Sequence, residues 1–119
     1  MNLSIAGLHL ESDPKLKEYA NKKVRKLIRY DPKITDIKVR LFLEKSHRNE
    51  AHECMCELTV HVPGKILEIV DREKDHTAAI DKAFDRMKRA IIKHKEKEVS
   101  RQHREGVLQK LVRRFKKAD

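Results

Sequence analysis

The chain has 119 residues, which suits one compact domain, and 40% of them are charged, against a usual share of about a quarter. A formal net charge of +10 favours a polyanionic partner, with nucleic acid ahead of an anionic membrane surface. No segment is apolar for long enough to span a bilayer and the first residues lack a signal-peptide pattern, so we expect a cytoplasmic protein rather than a membrane protein.

The first predicted elements are a short strand and a helix. Alternating apolar and polar residues predict a strand that ends near Gly7. Ser12, Asp13 and Pro14 together are typical of a helix start, because a serine or aspartate side chain caps free N–H groups and proline fits the first turn. We expect this helix to run to about Tyr30. Its apolar face comprises Leu16, Ala20, Val24 and Leu27, and a basic stripe beside it comprises Lys15, Lys22, Lys26 and Arg29.

Three strands are predicted to follow. Apolar residues recur with a period of two over residues 34–45 and again over 53–62. A Pro-Gly turn at 63–64 then leads into a strand over 65–70. The inward face of this last strand is left open, because residues 66 and 67 are both apolar. The apolar faces of the other two strands are Ile37, Val39, Leu41 and Leu43, and Cys54, Cys56, Leu58, Val60 and Val62.

Five cations spaced one helical turn apart mark the final predicted helix. Asp75 caps this helix, which extends to His103 or beyond. The five cations share one face with no acidic residue among them, whereas apolar residues occupy the opposite face. Such a row matches phosphates along a nucleic-acid backbone. His94 falls on the inner side, where we expect a packed, hydrogen-bonded histidine. The cations are Lys82, Arg86, Arg89, Lys93 and Lys97, and the apolar residues are Ile80, Phe84, Met87 and Ile91.

Gly106 is expected to interrupt the helix and to separate two regions. The first is a domain of residues 1–104, and the second is a basic tail of residues 105–119. Residues 107–117 could form a short amphipathic helix at a membrane surface, or could be disordered when free and fold on RNA. We favour folding on RNA.

Strand, helix, three strands and helix together predict an α+β fold with the order β-α-β-β-β-α. A four-stranded, mainly antiparallel sheet with both helices packed on one face buries all the apolar stripes. Both basic stripes then lie on the solvent side of the helices.

The remaining reactive side chains favour structural interpretations over catalytic ones. Cys54 and Cys56 are expected to be buried small apolar residues rather than metal ligands. Two close carboxylate pairs are expected to be solvated acids, since there is no phosphate-binding glycine loop or nucleophile motif beside them. We therefore predict no enzyme activity, no metal, no cofactor and no small-molecule substrate. The carboxylate pairs are Glu53 with Glu57 and Asp81 with Asp85.

The order of elements, together with residues in both helices and one turn, resembles the ribosome hibernation-promoting factor and ribosome-associated inhibitor family, also called sigma-54 modulation proteins, in its short form. The resemblance covers roughly residues 1–97, including the turn T-V-H-V-P-G at 59–64. Matching residues in the first helix are Lys23, Lys26, Leu27 and Tyr30. Matching residues in the second are Asp75, Ala78, Ala79, Ile80, Asp81, Asp85, Arg89, Lys93, His94, Lys95 and Lys97.

The resemblance implies a fold similar to a double-stranded RNA-binding domain with one added strand. It also implies binding to the 16S rRNA of the small (30S) subunit and to the whole ribosome, in the mRNA and tRNA channel near the decoding centre. Occupying that channel would block translation and preserve idle ribosomes in stress or stationary phase. We expect a monomer off the ribosome and no membrane partner. Together, the stripes and the resemblance predict RNA contacts at Lys22, Lys23, Lys26, Arg29, Lys82, Arg86, Arg89, Lys93, Lys95 and Lys97.

Two departures from the family pattern stand out. His76 and Thr77 occupy positions where the family often has Met-Tyr, and the tail is basic where some short members are acidic. Whether the protein promotes or prevents ribosome pairing therefore stays open. The alternative function is a general double-stranded RNA-binding module acting off the ribosome, and a third class is an RNA-processing enzyme.

Overall fold

The computed structural model describes residues 1–7, 13–45 and 52–117, and it confirms the β-α-β-β-β-α order of an α+β fold. One turn of 3₁₀ helix, Lys26–Arg29, follows the first α-helix. The elements are β1 (Asn2–Gly7), α1 (Pro14–Arg25), β2 (Asp36–Lys45), β3 (His52–Val62), β4 (Lys65–Glu73) and α2 (His76–Lys117).

The four strands form one sheet in the order β1-β2-β3-β4. β1 runs parallel to β2, and the other neighbours are antiparallel. β1 approaches β2 so closely that a Cβ at Gly7 would clash with the carbonyl oxygen of Leu41, which explains glycine there. Register places Ile37 opposite Val60, so alternate apolar side chains of both strands face the helices. The core comprises Ala20, Val24, Leu27, Ile34, Ile37, Val39, Leu41, Cys56, Leu58, Val60, Val62, Leu67, Ala79, Ile80, Ala83, Phe84, Met87 and Ile91.

β4 settles the orientation that the sequence left open. Leu67 is buried at 9% exposure and joins the core, whereas Ile66 is 54% exposed on the opposite face. The strand also extends to Glu73, three residues beyond the predicted end. Asp71 therefore shares the helix-facing side with Leu67, which matters for the interface described below.

The helix boundaries follow the predicted capping chemistry. Asp13 Oδ1 accepts the N–H of Leu16 at 3.1 Å, and Asp75 Oδ1 accepts the N–H of Ala78 at 2.7 Å. The carboxylate of Asp31 accepts the N–H of Lys33 at 3.0 Å and so supports the turn that leads into β2. Both N-caps are confirmed, and the helical segment ends at Arg29, close to the predicted end near Tyr30.

Met55 is a buried side chain on the face of the sheet away from the helices. The alternation of β3 predicts a solvent-facing residue here, but Met55 is only 2% exposed. Register places it between Phe42 on β2 and Arg72 on β4. A thioether fits irregular space beside an aromatic ring, so this face has a small apolar site of its own.

α2 continues without a break through Gly106, and the interruption predicted there is wrong. One glycine costs about 1 kcal/mol of helix propensity, and the many Lys, Arg, Glu, Gln and Leu residues around it are strong helix formers. The last buried residue of α2 among those described is Ile91, so the helix projects beyond the domain. Apolar side chains on the projection, Val107, Leu108, Leu111 and Val112, are exposed. The division between residues 104 and 105 stays a prediction.

Candidate nucleic-acid interface

α2 lies antiparallel along the edge strand β4, and this contact determines the environment of the basic stripe. Near the start of α2, Lys82 Nζ lies 3.5 Å from Glu73 Oε1. One turn later, Arg86 Nη1 lies 2.6 Å from Asp71 Oδ1. Farther on, Lys93 borders Lys65 at the beginning of β4. The stripe thus passes from acidic neighbours on β4 to a basic one.

The first two cations of the stripe are partly neutralised. The carboxylate of Asp71 is 4% exposed, and Arg86 covers it while also donating to the carbonyl oxygen of Val70 at 3.4 Å. Lys82 and Glu73 are about half exposed, so their ion pair is weak in water. Both acids lie on β4, which is why a search for acids within the helix stripe does not find them.

The cationic end of α2 comprises Arg89, Lys93 and Lys97, and all three side chains are exposed. Within residues 1–7, 13–45 and 52–117, none of them has an ion-pair or hydrogen-bond partner. Lys65 lies beside Lys93 and Lys97 in a groove of about 160 Å³. Lys65 is a basic residue that sequence reasoning missed, because only the packing of α2 on β4 reveals it.

His94 connects this end of α2 to the turn between β3 and β4. Its Nε2 atom lies 3.0 Å from the carbonyl oxygen of Pro63, which confirms the predicted hydrogen-bonded histidine. The turn needs glycine, since Gly64 has φ = +76°. Lys65 follows directly, so the histidine contact holds Lys65 beside the cationic end.

The basic residues of α1 have three different environments. Lys22 pairs with Glu18 at 3.1 Å, an exposed i, i+4 contact. Lys26 and Arg29 are exposed and have no partner in the described part of the chain. Lys23 is different, since its side chain is 27% exposed and its Nζ atom lies 3.6 Å from Asp81 and 4.9 Å from the Phe84 ring centroid. Lys23 therefore joins α1 to α2 at the surface of the core.

Tyr19 completes this contact between the helices. Its hydroxyl donates to Asp81 Oδ1, the oxygen that Lys23 also approaches. Because the hydrogen bond to Asp81 favours the protonated phenol, and burial and the negative charge of Asp81 act the same way, the pKa of Tyr19 rises from 10.0 to about 12. Asp81 thus has a structural role, because it forms a hydrogen bond with Tyr19 and an ion pair with Lys23, both on α1.

Lys95 lies on a different flank from the stripe. Its Nζ atom donates to the carbonyl oxygen of Tyr30 at 3.4 Å, and Lys88 Nζ lies 5.2 Å from the centroid of the Tyr30 ring. The end of the helical segment that follows α1 therefore contacts one flank of α2, while Arg86 contacts β4 on the other. The predicted RNA-contact residues all lie in the helical layer, but the two stripes do not merge into one row.

The cysteines are buried and free, as expected for small apolar residues. Burial raises the pKa of Cys56 from 9.0 to about 12, with Asp71 and Glu57 adding to the shift, and burial also raises the pKa of Cys54. Burial lowers the pKa of His76 at the start of α2, although Asp13 and Asp75 oppose that shift. In the described ranges, no three His, Cys, Asp or Glu side chains cluster as metal ligands, and no helix carries a stretch that could cross a bilayer.

Known proteins resemble this chain over most of its length. The profile of the family "Sigma 54 modulation protein / S30EA ribosomal protein" matches residues 3–99, which include the sheet, α1 and the cationic end of α2. The match ends within the projecting part of α2, before Gly106.

Individual relatives agree with the profile. The chain is 33% identical over 102 residues to a ribosome hibernation promoting factor of Azotobacter vinelandii, covering 86% of this chain and 90% of the relative. It is 34% identical over 98 residues to the factor of that name from Escherichia coli K12, covering 82% and 96%. The crystal structure of the Thermus thermophilus Protein Y N-terminal domain superposes with a TM-score of 0.66 at 28% identity, covering 79% of this chain and 99% of that one.

Proposed function

This chain belongs to the Sigma 54 modulation protein / S30EA ribosomal protein family, and from that membership we propose that it is a ribosome hibernation factor. It binds ribosomes and inhibits translation. More specifically, it binds the 16S rRNA of the small subunit in the channel for mRNA and tRNA near the decoding centre. It acts in the cytoplasm and is a monomer off the ribosome.

The observation that carries this proposal is the cationic end of α2. Arg89, Lys93 and Lys97 face solvent without a carboxylate partner in the described structure, and Lys65 adds a fourth positive charge beside them. Four cations on packed secondary structure have their backbone positions fixed before binding, so little backbone order has to be gained. Phosphates on the wall of an RNA channel would supply the missing negative charge.

The proposed mechanism is occupancy rather than catalysis. The basic helices neutralise phosphates, and the sheet and core then fill space that mRNA and tRNA need. No bond has to form or break for such inhibition. Because each phosphate contact releases counterions, affinity should fall steeply as salt rises. The shape of the channel supplies specificity, so base reading by the cationic end is not required.

A general double-stranded RNA-binding module is the competing proposal. An α+β domain with exposed cations on its helices also suits the phosphates of an RNA duplex. The two functions differ in what they bind most tightly. A ribosome-specific factor prefers the small subunit to a plain duplex, whereas a general module binds both equally well.

Sedimentation through a sucrose gradient tests the proposal. Purified protein is mixed with separated subunits or whole ribosomes at low and high salt, and its affinity for a plain RNA duplex is measured in parallel. We expect salt-sensitive binding to the small subunit and whole ribosome, together with inhibition of cell-free translation. No association with ribosomes alongside tight duplex binding would favour the general module and contradict the hibernation function.

A further inference from the structure

An open groove lies where α2 leaves the domain, on the flank that contacts α1. We call it the Tyr30 groove, and it is lined by Tyr30, Ile92, Lys95, Glu96 and Val99. Its volume is about 420 Å³ and its wall is almost wholly apolar. This volume lies in the lower part of the range of ~300–1,000 Å³ that is usual for small-molecule sites.

The apolar wall of the Tyr30 groove is not part of the core. Val99 is 58% exposed, while Tyr30 and Ile92 are half-buried. Ile91, the last buried residue of α2 in the described ranges, immediately precedes the groove. The ring, the isoleucine and the valine therefore form a surface that a flat apolar group could cover.

Cations surround this surface and indicate the charge of the occupant. Lys88 Nζ lies 5.2 Å from the Tyr30 ring centroid, and Lys95 Nζ lies 3.4 Å from the Tyr30 carbonyl oxygen. Arg29, the residue before Tyr30, is exposed. A second copy of this chain would bring the same cations against these, so repulsion disfavours self-association. Charge complementarity instead favours a polyanion that carries flat apolar groups.

The apolar wall decides which part of that polyanion enters the groove. Almost none of the exposed wall is polar, so Glu96 contributes chiefly its aliphatic stem and nothing in the wall would hold a phosphate. A base is the flat, apolar part of RNA, and proteins bind unpaired bases by stacking them on aromatic side chains.

We propose that the Tyr30 groove binds one unpaired RNA base, with the neighbouring phosphates on Lys88 and Lys95. This inference rests on the proposed function, because the base would belong to the ribosomal RNA. It adds a base-dependent contact to the phosphate contacts of the cationic end. The protein thus distinguishes RNA that presents an unstacked base from a regular duplex.

Two strands of roughly 12 nucleotides, a length within the usual site sizes for single strands, test the proposal. One is single-stranded RNA and the other is an abasic strand with the same number of phosphates. We expect full-length protein to bind the base-bearing strand about tenfold more tightly, since stacking alone accounts for a factor of this size. Tyr30→Leu keeps apolar bulk for folding but should lose this preference, while its affinity for the abasic strand stays unchanged.

Val99→Ser is a second variant that leaves the packing of the core intact, because Val99 is 58% exposed. It should also reduce the preference for bases. Arg89→Gln is the matched control, and it should weaken binding to both strands equally. If wild-type protein binds the two strands equally well, or if Tyr30→Leu dissolves a dimer seen by sedimentation equilibrium, the base site is wrong. If wild-type protein does not bind the small subunit at all, the proposed function is contradicted instead. The comparison of the two strands does not depend on that result.

Discussion

Arg86 Nη1 lies 2.6 Å from Asp71 Oδ1, so a cation of the α2 stripe covers a buried carboxylate on β4. The other carboxylate oxygen, Asp71 Oδ2, is buried without a hydrogen-bond partner in the described structure. Arg86 is therefore needed for stability, because removing it would leave a buried charge without compensation. Its neighbour Arg89 has no such partner among the described residues.

Arg86→Ala should lower the free energy of unfolding by about 1–3 kcal/mol, the usual cost of leaving a buried polar group without its partner, since Asp71 is buried while Arg86 is half exposed. Urea denaturation followed by circular dichroism measures this change. Arg89→Ala is the matched control and should stay within about 0.5 kcal/mol of wild type, as for other exposed positions. Equal effects of the two substitutions would mean that the contact with Asp71 does not stabilise the fold.

Phe84→Ala should cost about 3–5 kcal/mol of stability, the usual loss for a large-to-small substitution in a core. Phe84 is only 6% exposed and its ring also contacts Lys23. Thermal denaturation gives the check, and an unchanged midpoint would show that this face of α2 is not packed on the core. Lys23→Met, which keeps an apolar stem over the ring, should have a much smaller effect.

Tyr19 should make stability depend on alkaline pH. Its pKa rises from 10.0 to about 12 in the folded chain because the phenol donates to Asp81. Between these values the unfolded state loses the proton first, so the stabilisation present below pH 10 is lost as pH rises through about 12. Tyr19→Phe should therefore show a smaller fall in the free energy of unfolding over this interval.

Urea denaturation of wild type and Tyr19→Phe at several alkaline pH values measures this difference. Cys56 shifts in the same direction but is present in both proteins, so the difference between them reports Tyr19. Identical pH profiles would contradict a hydrogen bond between Tyr19 and Asp81.

Gly106→Ala tests whether α2 is continuous beyond the domain. A Cβ at this position would meet nothing within 4 Å, so the substitution causes no clash. Alanine favours a helix over glycine by about 1 kcal/mol. Amide hydrogen exchange around residue 106 should therefore slow. Unchanged exchange would contradict a helix through this position. It would instead favour the interruption at Gly106 that the sequence predicts.

The sequence predicted the fold well because its local signals agree with the final packing. The caps at Asp13 and Asp75 are present in the structure. The periods of two in β2 and β3 also hold, except that Met55 is buried on the outer face and Leu43, on the predicted apolar face, is 40% exposed. The inward face of β4 could not be predicted, because Ile66 and Leu67 are equally apolar and only the packing of α2 selects Leu67. The interruption predicted at Gly106 was wrong, because one residue of low helix propensity does not end a helix whose neighbouring residues have high propensity.

The interface was predicted less completely, for a physical reason. Spacing within α2 gives the stripe, but it contains no information about which residues of β4 lie beside it. Asp71 and Glu73 neutralise the first cations, whereas Lys65 reinforces the last ones. Long-range antiparallel packing of a helix on a strand creates both effects. The roles of the ten predicted RNA-contact residues remain predictions.

The most direct test of the proposed interface compares two single charge reversals in small-subunit binding. Lys93→Glu alters the cationic end, while Lys38→Glu makes the same change in net charge on the exposed sheet face away from the helices. We expect Lys93→Glu to weaken binding at least tenfold and to lower the salt slope by about one unit. Lys38→Glu should bind like wild type. Equal losses in the two folded variants would contradict the account, since binding would then depend on net charge and not on the cationic end of α2.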